Sequence, residues 1–128
     1  MVDIVRDALL AFARLHVLHH ASEEPIFGLG MMKELARHGY AIGPGTLYPL
    51  LHRLDENGLL VSRAEVVGGK ARTYYEITAK GRRVLRKIAP KIAELAGELL
   101  PHPPADTHRP PARRKRAVAR GDKLKRRV

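Results

Sequence analysis

Residues 43–60 read GPGTLYPLLHRLDENGLL and combine a regular leucine spacing with residues typical of helix ends. Its leucines recur at the i, i+3, i+4 and i+7 spacing of one helical face: Leu47, Leu50, Leu51 and Leu54. Pro44 suits the first position of a helix, with Gly43 as its N-cap, and Gly58 suits the C-terminal end. The pattern predicts an amphipathic helix that begins at Pro44 and buries its leucines in a small core.

The residues outside this leucine stripe have the chemistry of nucleic-acid contacts. They are Thr46, Tyr48, Pro49, His52 and Arg53, together with Glu56. Hydroxyl groups and cationic or hydrogen-bonding heads suit phosphates and base edges, so we take the first five as candidate DNA-binding residues. An ordinary amphipathic helix has the same leucine spacing, and the neighbouring segments must decide between the two interpretations.

Two further helices are predicted before residue 43. Residues 4–20 contain neither Gly nor Pro, and their apolar residues cover more than one face, so we expect burial on two sides. One side would pack on the core and the other against a second subunit. A turn over residues 23–28 separates this helix from a second one, which ends near Arg37 and before Gly39. In the connection that follows, Ile42 is the expected core contact.

Two short runs after Gly58 have the composition of β-strands. Residues 59–67 and 72–78 are rich in Val, Ile, Thr and Tyr, and residues 68–71 (GGKA) join them. Alternation along the second run places Tyr75 and Ile77 on one face and Tyr74 on the other. The runs predict a hairpin with a glycine-rich tip.

Helices followed by a hairpin predict a winged helix-turn-helix, which is mostly α with a small β-hairpin. The tip of such a wing lies against the minor groove or the DNA backbone, which places Lys70 and Arg72 near phosphates. We add Tyr74 to the candidate DNA-binding residues. The alternative is a solvated hairpin whose charges have no partner.

Thr78 can cap a final helix that runs to about residue 100. Its apolar residues are spaced 3, 4, 3 and 4 apart, as in the seam of a short coiled coil: Leu85, Ile88, Ile92, Leu95 and Leu99. Pro90 lies off this seam, so we expect a kink and not a break. The seam predicts a C-terminal dimerisation helix, and packing on the first helix of the same chain is the alternative.

Charge is unevenly distributed along the chain. The 128 residues include 24 Lys and Arg against 13 Asp and Glu, for a net charge of +11. Residues 1–100 carry +3, whereas residues 101–128, which are rich in Pro, Arg and Lys, carry +8. We therefore predict a winged helix-turn-helix domain over residues 1–78, a dimerisation helix over residues 79–100 and a disordered basic tail over residues 101–128.

Several classes of protein are disfavoured by what the sequence lacks. The chain has no Cys, so it has neither disulfides nor thiolate metal sites, in agreement with a reducing compartment. No apolar run approaches the roughly 18 to 20 residues that span a bilayer, and the N-terminus lacks the basic region of a signal peptide. We expect a cytoplasmic protein with no membrane partner.

The histidines and carboxylates form no recognisable catalytic order, so we expect neither an enzyme nor a cofactor. His16 and His20 are one helical turn apart, as are His19 and Glu23, and either pair suits a divalent metal ion. Surface or interface histidines at a helix end are the commoner outcome. The sequence alone therefore predicts no metal site.

Two segments together resemble a known family. They are PGTLYPLLHRL (residues 44–54) with GLL (residues 58–60), and RTYYEITAKG (residues 72–81). They resemble the PadR-like winged-helix transcriptional regulators, in the short form with a single C-terminal dimerisation helix, and the match covers roughly residues 15–100. The resemblance implies a homodimer that binds double-stranded DNA at an inverted-repeat operator and represses transcription. It also implies release from DNA when a small-molecule effector binds near the dimer interface.

The chain departs from the family pattern at three points. Gly43 stands where the family usually has Ser, and Leu29 stands where it usually has Tyr. The absence of Trp means that the stacked-indole drug site of some relatives is not implied, so the effector is not identified.

Two other functions fit parts of the sequence. One is a nucleoid-like architectural protein whose basic tail dominates binding, and the other is an adaptor whose winged helix binds protein. A regulator should prefer its operator about 10³-fold or more over random duplex, which an architectural protein would not. An adaptor's affinity should be insensitive to salt, unlike phosphate contacts.

Overall fold

The computed structural model describes residues 3–101. Seven elements follow one another: α1 (Ile4–Glu23), β1 (Ile26–Phe27), α2 (Gly28–Arg37), α3 (Pro44–Glu56), β2 (Leu60–Val67), β3 (Lys70–Ile77) and α4 (Ala79–Leu99). The strands form one antiparallel sheet in the order β1-β3-β2. The predicted fold class is confirmed. The basic tail, apart from Pro101, lies outside the described residues.

Helix α1 is longer than the sequence predicts. It begins after Asp3, whose side chain accepts a hydrogen bond from the backbone N–H of Arg6 at 3.0 Å, and it continues to Glu23. Pro25 explains the end, because the residue before a proline avoids the helical conformation. One face of α1 is buried, through Ala13, Val17, Leu18 and Ala21.

A second apolar surface of α1 is exposed. It consists of Ile4, Val5, Leu9 and Phe12, each at least 43 % exposed. The helix thus has apolar residues on two sides, as predicted, and within a single described chain only one of them is covered.

The segment predicted as a turn over residues 23–28 contains a short strand. Ile26 and Phe27 of β1 pair with Tyr75 and Tyr74 of β3. This strand was missed because two residues are too short to show the alternation by which strands are recognised. The pairing fixes the start of α2 against the sheet.

Helices α2 and α3 form the predicted helix-turn-helix. After α2 the backbone N–H of Tyr40 bonds to the carbonyl of Leu35 at 2.9 Å, and the connection returns Ile42 to the core, as predicted. Pro44 is the first residue of α3, with Gly43 as the N-cap. The observed ends of α3 therefore agree with those predicted from the sequence to within one or two residues.

The hairpin turn is tighter than predicted. Gly68 and Gly69 are its two central residues, with φ of +58° and +78°, and Val67 pairs with Lys70 across it. Positive φ at both positions defines a type I′ turn, which suits the twist of the flanking strands and strongly favours glycine. Lys70 and Ala71, predicted in the connection, belong to β3 instead.

One apolar core connects these elements. Its largest fully buried side chains are Val17, Leu18, Met31, Leu35, Leu47, Leu51 and Leu60. Tyr75 is 3 % exposed, and Ile77 packs against the same cluster, so the predicted inner face of β3 is confirmed.

The start of α4 is attached to the end of α3 by several hydrogen bonds. The hydroxyl of Thr78 donates to the carbonyl of Gly58 at 2.6 Å and accepts from the N–H of Gly81 at 3.0 Å. Lys80 Nζ donates to the carbonyl of Asn57 at 2.8 Å. Thr78 is thus the predicted cap, and it also satisfies a carbonyl beyond the end of α3.

Helix α4 continues through Pro90 to Leu99 as one helix. Among residues 3–101, one compact unit extends to Lys87 and a second begins at Ile88. None of the helices within residues 3–101 is both long enough and apolar enough to cross a membrane.

Gly81 allows the start of α4 to lie close to the backbone at Leu59, between α3 and β2. A Cβ atom at this position would lie 2.4 Å from the carbonyl oxygen of Leu59, which belongs to the backbone and cannot rotate away. We predict that Gly81→Ala lowers the free energy of unfolding by about 1 to 3 kcal/mol through this overlap, measured by denaturant unfolding at fixed chain concentration.

Gly97→Ala is the matched control, because Gly97 lies in the same helix with nothing within 4 Å of the added Cβ. There alanine should leave stability unchanged or raise it by up to about 1 kcal/mol, as in an open helix. Equal effects of the two substitutions would contradict the close contact at Gly81.

Candidate nucleic-acid interface

Helix α3 divides into a buried and an exposed side. Leu47, Leu50, Leu51 and Leu54 are all buried, with no more than 6 % of any of them exposed. Tyr48, Pro49, His52 and Arg53 are exposed, and Thr46 is half-buried near the N-terminus. All five predicted contact residues therefore lie outside the buried stripe, where a ligand can reach them.

Tyr48 is held against the start of α2. A Cβ atom built on Gly28 would lie 2.4 Å from Cε1 of the Tyr48 ring and 2.5 Å from its hydroxyl oxygen. Gly28 is buried, while Tyr48 remains 39 % exposed. The ring therefore occupies space that only glycine leaves open, and this contact limits the positions that Tyr48 can adopt.

One shallow groove brings residues of α3 and of the wing together. It lies between the start of α2, helix α3 and strand β3, and its lining includes Tyr48, His52, Lys70 and Arg72. None of the ten described residues that line it is acidic. Two cations and two hydrogen-bonding side chains thus face a common space, which suits an anionic ligand.

Arg72 is held in the groove by an aromatic ring. Its Cζ atom lies 4.5 Å from the centre of the Phe27 ring, a distance typical of cation–π contacts. Arg72 is half-buried, whereas Lys70, next to the turn, is exposed. Phe27 belongs to β1, the strand that the sequence did not reveal, so its supporting role was missed as well.

Tyr74 does not line this groove. It is half-buried between Phe27, whose ring centre lies 5.5 Å away, and Arg63, whose Cζ lies 5.6 Å from the Tyr74 ring. Arg63 also pairs with Glu65 and Glu76. The structure therefore places Tyr74 in a contact network of the sheet and brings it together with neither Tyr48 nor His52.

The end of α3 is attached to β2 by a polar contact. Ser62 Oγ donates to Asp55 Oδ2 at 2.8 Å. Nearby, burial raises the pKa of the Tyr75 hydroxyl, and the carboxylate of Asp55 raises it further. Tyr75 is therefore a neutral core residue at physiological pH.

The candidate dimerisation residues differ in exposure. Leu85 packs partly against the core of the first unit, and Ile88 is half-buried. Ile92, Leu95 and Leu99 are 45 %, 52 % and 72 % exposed. Three leucine and isoleucine side chains with helical spacing are thus left uncovered by residues 3–101.

The sequence of this chain is similar to those of known transcriptional regulators. Residues 17–87 match the model of the transcriptional regulator PadR-like family. A curated relative, the transcriptional regulator Rv3488 of Mycobacterium tuberculosis, is 48 % identical over 96 residues, which cover 75 % of this chain and 90 % of the relative.

Solved structures of similar proteins have the same fold. A PadR family transcriptional regulator from Eggerthella lenta is 36 % identical with a TM-score of 0.65, covering 78 % of this chain and 91 % of that one. A PadR-like transcription factor from Bacteroides fragilis is 27 % identical with a TM-score of 0.64, covering 76 % and 96 %.

Proposed function

Because this chain belongs to the PadR-like family of transcriptional regulators, we propose that it acts as a homodimeric repressor of an inverted-repeat operator. In this proposal α3 contacts base edges, the wing contacts the DNA backbone, and the dimer sets the spacing of the half-sites. The single observation that carries the proposal is the groove shared by Tyr48 and His52 of α3 with Lys70 and Arg72 of the wing.

The exposed side of α3 has the composition required for reading DNA. Arg53 presents five donors in a planar fork, and arginine commonly binds guanine in the major groove through two such donors. Tyr48 and Thr46 supply hydroxyl groups near the N-terminus of the same helix, the part that reaches base edges in helix-turn-helix proteins. These residues are therefore the candidates for sequence specificity.

The wing is better suited to the sugar–phosphate backbone. Lys70 is a flexible cation beside a two-glycine turn, and such side chains bind phosphate without selecting a base. Arg72 is less mobile because it packs over Phe27. We assign affinity, and no sequence preference, to these two residues.

Dimerisation is supported by two uncovered apolar surfaces. One is the α1 surface formed by Ile4, Val5, Leu9 and Phe12, and the other is the α4 surface formed by Ile92, Leu95 and Leu99. Contiguous exposed apolar residues commonly mark an interface. Packing of a second copy of the chain on each surface would bury it, and a symmetric partner suits an inverted repeat.

Repression and release by an effector come from the family alone, and no effector is assigned. Nothing in the comparisons favours the architectural alternative, and the basic tail on which it depends lies outside the described residues.

We predict that Arg53→Ala and Tyr48→Ala each weaken binding to the operator by about 1 to 3 kcal/mol, or roughly 5- to 150-fold in Kd, because each removes a direct contact. Binding is measured by fluorescence anisotropy at fixed salt, using the promoter region of the gene itself as the first candidate operator. Both residues are exposed, so the circular dichroism spectrum should not change.

Two controls make this test specific. Lys91→Ala removes one exposed positive charge from α4 and should change affinity little. Tyr48→Phe retains the ring above Gly28 and removes only the hydroxyl, so it separates hydrogen bonding from packing. If Arg53→Ala and Tyr48→Ala bind as the unmodified protein does, α3 does not read the DNA.

Replacing Lys70 and Arg72 together with Ala should reduce the slope of log K against log salt by about one unit per lost phosphate contact. The ranking of operator variants should stay the same. The double substitution Arg83→Ala with Arg86→Ala removes two exposed charges outside the groove and serves as the control. An unchanged slope in the wing variant would show that the wing does not touch the backbone.

Ile92→Asp places a charge in the proposed dimer seam and should weaken self-association by several kcal/mol, giving monomers or aggregates in sedimentation velocity. Ala93→Asp, one exposed residue further along α4 and off the seam, should remain dimeric. A dimeric Ile92→Asp variant that still binds its operator would place the interface elsewhere.

A further inference from the structure

Three histidines from two helices converge on one side of the first unit. His16 and His20 lie one turn apart on α1, and His38 is the C-cap of α2. One ring nitrogen from each lies within 4.8 Å of the others. The rings of His16 and His38 are stacked, with centres 4.5 Å apart, and the centres of His20 and His38 are 5.8 Å apart. The packing of α1 against the end of α2 thus brings three histidines together. Spacing along a single helix could not reveal this grouping.

A carboxylate faces this histidine cluster. Glu34 Oε2 lies 3.7 Å from Nε2 of His20 and 3.4 Å from Nε2 of His38. Its other oxygen accepts a hydrogen bond from Arg37. Nε2 of His20 is buried and has no hydrogen-bond partner among the described residues. A buried nitrogen in this state normally costs free energy, which a ligand bound at this position would recover.

The pKa values of two imidazoles of the cluster, those of His16 and His20, are lowered. Burial lowers the pKa of His16, and the neighbouring His38 and His20 lower it further. Burial also lowers the pKa of His20, an effect that the carboxylate of Glu34 partly opposes.

We propose that His16, His20 and His38 form a binding site for a divalent transition-metal ion of the zinc class, with Glu34 as the fourth donor. Three imidazoles and one carboxylate are donors that zinc commonly takes in a tetrahedral arrangement. Zinc–nitrogen bonds of about 2.0 to 2.1 Å require ligand nitrogens about 3.3 Å apart, so the rings must rotate towards one another. His38 is exposed, which leaves the ion a path from solvent.

The site joins α1 to the end of α2, next to the connection that leads into α3. His38 is followed by Gly39 and Tyr40, and the ring of Tyr40 lies against that of His16 with centres 5.3 Å apart. A bound ion would therefore fix α1 to the helix-turn-helix. The inference is independent of the proposed operator, because metal binding is measured without DNA.

The test is a titration of the full-length, metal-free protein with zinc chloride in the presence of a competing chromophoric chelator. We expect one zinc ion per chain with a Kd below about 1 µM, and an increase in the melting temperature on zinc addition. His38→Gln and His20→Gln should each weaken this binding by about 100-fold or more. Both variants should retain the circular dichroism spectrum of the metal-free protein.

The matched control is His19→Gln. His19 lies on the same helix beside His20, and its Nε2 is 3.8 Å from Glu23, the other pair suggested by spacing. This variant should bind zinc as the unmodified protein does. His102 and His108 are present in every variant, so any zinc that they hold cancels in the comparison.

Cobalt(II) gives a second readout, because its tetrahedral complexes absorb visible light strongly. In the Glu34→Gln variant this absorption should be lost or should shift in energy. The proposal is overturned if the unmodified protein binds zinc with a Kd above about 1 µM. It is equally overturned if His19→Gln weakens binding as much as His38→Gln does.

Discussion

Burial of one face of α3 forms the centre of the core and at the same time leaves the opposite face for the candidate interface. Leu47, Leu50, Leu51 and Leu54 have no more than 6 % of any side chain exposed. Full burial of a leucine contributes about 1.5 to 3 kcal/mol, so the four together are comparable with the whole net stability of a small domain. The buried leucines occupy a single stripe of α3, and the opposite face, with Tyr48 and its polar neighbours, is exposed to solvent.

Contacts at both ends of α3 hold this helix in one position. Near its N-terminus, the ring of Tyr48 fills the space left by Gly28 at the start of α2. At its C-terminus, Thr78 and Lys80 bond to the carbonyls of Gly58 and Asn57. The helix that faces the groove is therefore held by α2 on one side and by the start of α4 on the other. Such support suits a surface that must match a rigid partner.

The sequence predicts those parts of the fold that local patterns encode. Periodicity and capping placed α3 and the Thr78 cap, and alternation placed Tyr75 in the core. Contacts between distant segments were not predictable: the two-residue strand β1 exists only through its pairing with β3, and Phe27 supports Arg72 only because of that pairing. Likewise, His38 joins the α1 histidines through the packing of two helices. Of the candidate DNA contacts, those on α3 follow from spacing, whereas the separation of Tyr74 from the groove depends on the strand order.

In the proposed function, the polar face of α3 and the wing act together on specific DNA. Selection of bound fragments from a random duplex pool by the full-length protein tests it most directly. We expect an inverted repeat with half-site centres about one helical turn apart, or a multiple of it, preferred about 10³-fold or more over random duplex at fixed salt. A pool that shows no enriched sequence after repeated rounds would contradict it.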